Sequence, residues 1–356
     1  MKQKSFLDEE NRLERLSQLG DNLETLAKAV DFEIFRTRLL EIWPQKDLSN
    51  GGRPPWDAVL MFKILYLKEK NNVGDDRLEF LINDRMSWQR FLKLELSDKV
   101  PDAKTIWLYR ENLVKSGKMQ ELFDHLDKTI DEHGIDSGDG IINDATFHVR
   151  PQQRYNLEKK KYEKDQAKKE EDRTGIAPPD MTNPHKVRQI DQEANYGVKR
   201  NKPHFGYKNH IKVSAKTKLI KKAVVTVASE HDNSVVDKLI SKDDNDGYMD
   251  SAYRGEEVEA RIRKINPTIK LHIVVGATKG HPLTKEQKES NKEKSKIRCR
   301  VEHVFGHMAV SMGGKFLRCV GKVRSTCRIQ MKNLSYNLDR LSTLHRQGNA
   351  PRIALR

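Results

Sequence analysis

Three carboxylates stand out for their surroundings. Asp144 lies inside the β-branched run Ile141-Ile142-Asn143-Asp144-Ala145-Thr146-Phe147-His148-Val149, where an unpaired acid is costly. Asp250 ends the short strand-like run Tyr248-Met249-Asp250. Glu302 lies in Arg298-Cys299-Arg300-Val301-Glu302-His303-Val304-Phe305-Gly306, beside a helix face formed by Val301, Val304, Phe305 and Met308. Arg298 precedes Glu302 by one helical turn, so it can reach that carboxylate or a phosphate. Acids at strand ends, facing another acid on a helix, suit metal-dependent cleavage of a phosphodiester. Mg²⁺ takes hard oxygen ligands, and two ions about 3.5–4 Å apart can serve both the attacking and the leaving oxygen. Against this stands the ordinary solvated surface position, which each acid taken singly also fits.

Other residues compete for roles. Asp232 follows His231 and rivals Asp250 as the second acid; before a helix from Asn233 it also reads as an N-cap, or as a support behind the site. His303 and His307, four apart, have the helical spacing of a zinc pair, but no further ligands are evident, so packing or DNA contact is favoured. Cys319 and Cys327 lack zinc spacing and read as buried. The lysines from Lys159 to Lys169 alternate with acids and read as a solvated helix. The cluster Lys292, Lys294, Lys296, Arg298 and Arg300 is opposed only by Glu293, so it is the better phosphate track.

The elements that must position these residues fall into two styles. The first 135 residues read as helical, with Leu13, Leu16, Leu19, Leu23 and Leu26 at three- and four-residue spacings. Further helices are expected over 58–70, 75–84, 102–114 with Asp102 as cap, and 119–132, with a break at Asn50-Gly51-Gly52-Arg53-Pro54-Pro55. The pattern changes at Gly138. Beyond the Asp144 strand, residues 152–202 are too polar to bury a core and read as a loop or exposed helix. Strands over 210–213 and 219–228 then form a hairpin. Next come a helix over 233–242, a strand ending at Asp250, a helix over 254–264, a strand over 271–275, a long helix over 286–308 and a last helix over 325–344. This order gives an α/β fold with a central mixed sheet, preceded by an all-α region.

The 356 residues carry a formal charge of +15, unevenly spread. Residues 1–150 hold 23 basic and 28 acidic side chains, whereas residues 151–356 hold 44 and 24, so the surplus surrounds the acids. A polyanionic partner follows. No run approaches the roughly 18 apolar residues of a membrane span, and no apolar signal core follows Met1. Three cysteines are an odd, sparse set, which fits a reducing cytoplasm.

Several motifs, in order, then resemble one family. They are Asn143-Asp144-Ala145-Thr146-Phe147, His204-Phe205-Gly206-Tyr207-Lys208-Asn209-His210, Ala228-Ser229-Glu230-His231-Asp232, Asp250-Ser251-Ala252-Tyr253-Arg254 and Arg300-Val301-Glu302-His303-Val304-Phe305-Gly306. With Gly52-Arg53-Pro54-Pro55 and Val100-Pro101-Asp102-Ala103, they resemble the bacterial insertion-sequence transposases of the DDE type, in the insertion-sequence family numbered five. The resemblance implies a ribonuclease-H-like mixed-sheet catalytic domain over 137–345, with a polar insertion at about 152–202 and a tail over 346–356. A helical DNA-binding or assembly domain would cover 1–136. It implies that Asp144, Asp250 and Glu302 hold two Mg²⁺ or Mn²⁺ ions. Arg298, Arg300, Lys296, Lys294, Lys208 and Arg254 would contact DNA, and Asp232 and His303 would support the site from behind. The implied partners are double-stranded DNA, as terminal inverted repeats and target, and a second copy of the chain on that DNA. The implied location is the cytoplasm, at the nucleoid. The implied reaction is cleavage at element ends followed by joining of a 3′-hydroxyl to target DNA. A nuclease of the same fold, or a non-catalytic DNA-binding protein, is the alternative. One departure is plain: Ser295 and Ala309 stand where the family often has Tyr and Lys, with Lys296 or Lys315 as nearby replacements for the lysine.

Overall fold

The computed structural model describes residues 8–44, 49, 51, 54–136, 140–199, 201–277 and 282–355. Asn50, Gly52, Arg53 and Gly138, at the expected break and change of style, lie outside the described residues.

Among the described residues the N-terminal part has eight α-helices: α1 (Asp8–Gln18), α2 (Asn22–Ala29), α3 (Arg36–Ile42), α4 (Ala58–Asn71), α5 (Asp75–Asp84), α6 (Met86–Leu92), α7 (Ala103–Ser116) and α8 (Met119–Glu132). Aspartates start several of them. Asp57 accepts from the Leu60 N–H at 2.9 Å and Asp102 from the Thr105 N–H at 2.6 Å, which satisfies donors that a helix leaves free. Gly117 closes α7 in the left-handed region, at φ 68°. Helix α4 is apolar on nearly every side, with Met61, Phe62, Ile64, Leu65, Tyr66 and Leu67 all buried, and so forms the centre of this part. Helix α6 was not expected; seven residues are too few to display a periodicity, yet Trp88, Phe91 and Leu92 bury one face.

The second part alternates. It contains β1 (Ile141–Val149), α9 (Arg154–Gln166), α10 (Pro184–Val187), β2 (Asn195–Lys199), β3 (Lys202–Ser214), β4 (Ile220–Val227), α11 (Val236–Leu239), β5 (Asp246–Met249), α12 (Glu256–Ile265), β6 (Lys270–Ile273), α13 (Lys285–Arg298), α14 (Arg300–Val310) and α15 (Lys322–Arg346). The sheet order is β2-β3-β1-β5-β6, with β4 also on β3. β3 is antiparallel to β1, β2 and β4, whereas β1, β5 and β6 are parallel, so the sheet is mixed. Helices α11 and α12 cover one face through Val236, Val258 and Ile262, packed with Ile141 and Met249. The other face carries α14 and α15. There Ile142, Ile211 and Val213 share one apolar cluster with Val301, Val304, Met308, Leu334 and the N-terminal helices.

Three expectations change. The polar stretch holds α9 and the edge strand β2, anchored by buried Asp191, which accepts from the Tyr207 hydroxyl at 2.9 Å and the Gly321 N–H at 3.1 Å and pairs with Arg150. The helix expected over 233–242 shrinks to a 3₁₀ turn at Asp232–Val235 plus α11. Its continuation is drawn into a turn where Asp244 accepts the Ser241 N–H at 2.6 Å and pairs with Lys212 at 2.9 Å. The long helix over 286–308 is two helices meeting at Cys299. Helix α13 buries nothing, whereas α14 has an apolar face that must meet the sheet, so the axis is re-aimed between them.

Candidate active site

The strands bring two acids together. In the parallel pairing of β1 with β5, Asn143 lies opposite Met249, and Asp144 and Asp250 are the residues that follow this last pair on each chain. They lie near enough for the charge of Asp250 to act on Asp144. Asp144 is in the middle of its strand, and its side chain is 14% exposed. Burial raises its pKa above the usual carboxylate range and the charge of Asp250 adds to this, while the Ala145 N–H and the cations Lys199 and Arg298 pull the other way.

Glu302 reaches the pair through Arg298. The guanidinium of Arg298 lies 3.4 Å from Asp144 Oδ2 and 3.8 Å from Glu302 Oε1, and so spans the two acids. The Glu302 side chain is 66% exposed and faces solvent from the first turn of α14. Among the described residues no group of three or more His, Cys, Asp or Glu side chains converges closely enough to form a ready-made metal cage. The donor chemistry nevertheless suits a hard divalent cation: three carboxylates, two of them adjacent, one carrying a desolvation penalty that a cation would relieve. Arg298 provides the compensating charge that holds Asp144 and Glu302 near each other.

Behind the pair lies a second polar group. The 3₁₀ turn after β5 buries Tyr253, and its hydroxyl has no hydrogen-bond partner among the described residues. Burial, then Asp232, Asp144 and Asp250, push the phenol well above its ordinary pKa, so it stays a donor. Asp232 does not cap a helix as the sequence suggested; its carboxylate accepts from Lys208 Nζ at 2.9 Å. Lys208 is only 9% exposed and also donates to the Glu230 carbonyl, so it faces inward rather than toward a DNA surface. His210, buried beside Asp232, is pushed down to about 4 by desolvation against the pull of that carboxylate.

The remaining residues singled out in the sequence are more scattered. Arg300 donates to the Ala215 carbonyl and Lys294 to the Ile273 carbonyl, whereas Lys296, Arg254 and His303 are exposed. His307 turns away from any zinc arrangement and meets Asp339 at 3.2 Å. Cys327 is buried and Cys319 half-buried.

Lys315 emerges beside the site, and Ala309 is exposed away from it. The Lys315 amine donates to Thr146 Oγ1 at 2.8 Å, two residues along the strand face from Asp144, and lies 4.9 Å from the Phe305 ring centre. Burial lowers it to about 8, although Asp144 pulls upward. The sequence offers it only as a nearby replacement for the family's lysine; the turn at Gly313-Gly314 folds it back onto β1.

Comparison with known families places two stretches. Residues 10–112 match the family described as a transposase domain, and residues 135–338 match the transposase DDE domain. No solved structure matches the chain. No described helix is long and apolar enough to cross a membrane.

Proposed function

The chain belongs to the DDE transposases, metal-dependent enzymes of DNA cleavage and transfer, and from that premise we propose that Asp144, Asp250 and Glu302 are its catalytic acids. The observation that supports this reading is Arg298 lying between Asp144 and Glu302, with Asp250 following the last β1–β5 pair next to Asp144. The acids would hold two Mg²⁺ or Mn²⁺ ions. Such ions lower the pKa of an attacking oxygen and stabilise a leaving one, in place of a side-chain general base.

The chain's own residues have distinct parts. The rigid β1–β5 pair fixes two carboxylates, and the apolar face of α14 fixes the third from the opposite side of the site. Arg298 balances their charge before and during loading. Lys315 and the exposed cations of α13 would hold phosphates. The substrate in this reading is the terminal inverted repeats of an insertion sequence, cleaved and then joined through a 3′-hydroxyl to target DNA. Two copies on the DNA would hold the two ends together.

Asp144→Asn, Asp250→Asn and Glu302→Gln each keep shape and remove one charge. Each is expected to abolish end cleavage and strand transfer, by at least a hundredfold, in an assay with end-bearing DNA and Mg²⁺. Cleavage retained with its metal dependence intact would overturn the assignment. Free nicked product without joined product in the unaltered protein would instead favour a nuclease.

A further inference from the structure

We propose that the cleft between α7 and the start of α15 seats the DNA strand leading away from the cleavage site, with Arg318 and Trp107 as its principal contacts. The proposal rests on the reading of Asp144, Asp250 and Glu302 as that cleavage site.

The path begins at β1. Past Asp144 the strand runs to Val149, and the segment after Gly314 lies alongside its end. The Val149 N–H donates to the Lys315 carbonyl at 3.1 Å, and the Leu317 N–H returns to the Val149 carbonyl at 2.9 Å. This bridge fixes the alternation of the segment. Lys315 turns to Thr146 beside the acids and Leu317 is buried, whereas Phe316, at 42% exposed, and Arg318 stand out in solvent. From Lys315 to Arg318 an extended chain covers about 10 Å, on the order of three nucleotides at 3.4 Å rise per strand.

Arg318 opens onto a cleft of about 460 Å³ between the helices of the N-terminal part and α15. Three carboxylates in its walls are already matched: Glu69 by Arg328 at 3.3 Å, Asp75 by Arg110 at 2.7 Å and Lys68 at 2.8 Å, and Glu111 by Arg324 at 2.7 Å. Five cations thus face three acids. Arg318 has no hydrogen-bond or ion-pair partner among the described residues, so a positive excess remains at the mouth. Trp107 lines the same cleft and is 49% exposed. An aromatic face beside an unmatched cation is the surface that a nucleic-acid strand uses, phosphates on the charge and bases or sugars on the ring. Continuity with the catalytic strand and the excess of positive charge select DNA over a protein partner.

The test uses the full chain with Arg318→Ala, Arg318→Glu and Trp107→Ala, each first checked by its melting temperature to be folded. The probe is end-bearing duplex DNA with flanks either absent or extended by about ten base pairs, long enough to cover the cleft at 3.4 Å per step. Fluorescence anisotropy should show at least tenfold weaker binding of the extended duplex by Arg318→Glu. Arg318→Ala should lower the slope of log affinity against log salt by about one, and Trp107→Ala should weaken the extended duplex severalfold. The flank-free duplex should respond far less. Unchanged affinity and salt slope on the extended duplex would overturn the proposal. So would a change in self-association by light scattering with DNA binding intact, which would make the cleft a protein interface. Asp144→Asn separates the two readings: if it still cleaves, the active-site assignment fails, whereas normal DNA affinity of Arg318→Glu beside an inactive Asp144→Asn removes the cleft alone.

Discussion

At the residue scale the most informative group is Lys315. Its ammonium sits between Thr146 Oγ1 and the Phe305 ring, close enough to Asp144 to feel its charge. Burial brings its pKa to about 8, so the charged form dominates below that value and is lost above it. If this amine holds a phosphate, DNA affinity should decline as pH rises from 7 to 9, about one unit to either side of that value. Lys315→Arg, which stays charged throughout this range, should flatten the decline while Lys315→Met weakens binding at every pH. Anisotropy titrations across that range decide it; a wild-type curve that does not fall, or an arginine variant that falls identically, removes Lys315 from phosphate binding.

At the element scale, the helix that carries Glu302 must be held against the sheet. Val301, Val304 and Met308 supply the apolar grip. A polar tie adds to it: buried Asp339 on α15 accepts from the Tyr66 hydroxyl at 2.6 Å and from Lys70 at 2.5 Å, both on α4, and meets His307 on α14 at 3.2 Å. Burial pushes the Asp339 carboxyl up, but these three partners outweigh it and hold the pKa below the ordinary value. A depressed carboxylate pKa contributes stability above the unfolded value, and this is lost only as pH falls through the lower folded value. Asp339→Ala strands a buried tyrosine hydroxyl and a part-buried lysine, and is expected to cost about 3 kcal/mol. Urea unfolding near neutral pH measures it. A loss within about 0.5 kcal/mol, the scale of an ordinary surface substitution, would mean that α14 is held by apolar contact alone.

At the scale of the whole molecule, the two differently patterned halves share one core. Leu26, Phe35, Phe62 and Ile106 belong to the same apolar cluster as Ile211, Val304, Leu338 and Ile353. The chain returns to its beginning as well, where Val30 bridges to Ile353. Two buried imidazoles on the central strands are expected to make the fold acid-sensitive. Desolvation holds His148 well below its ordinary pKa and His210 at about 4. Between pH 6.5 and about 4, the unfolded chain therefore binds protons that the folded chain refuses, and stability falls with pH across that window. The urea midpoint should drop on acidification from pH 7 to 4.5, and His148→Gln with His210→Gln should remove up to about two protons from the linkage slope. An unchanged slope in the double variant would place the acid response elsewhere.

Local patterning was enough to single out Asp144, Asp250 and Glu302 as candidate acids. Asp144 in an apolar strand, Asp250 at a strand end and Glu302 beside an apolar helix face are statements about neighbours in sequence, and periods of 2 and 3.6 expose them. The cap at Asp102 was legible for the same reason: it acts over three residues. What escaped was set by partners on other elements. Strand β2 is polar and exposed, and it exists because β3 supplies its hydrogen bonds. Asp232 reads as a cap until Lys208, on a different strand, claims its carboxylate. The break at Cys299 follows from the need of α14, but not α13, to bury a face. Lys315, in sequence only a nearby replacement for a lysine, meets Thr146 because a turn lays its segment along β1. The sequence by itself determined which chemical groups the protein has and which local elements carry them. Only the tertiary structure decided which groups meet, because burial, strand pairing and desolvation depend on contacts between residues hundreds of positions apart.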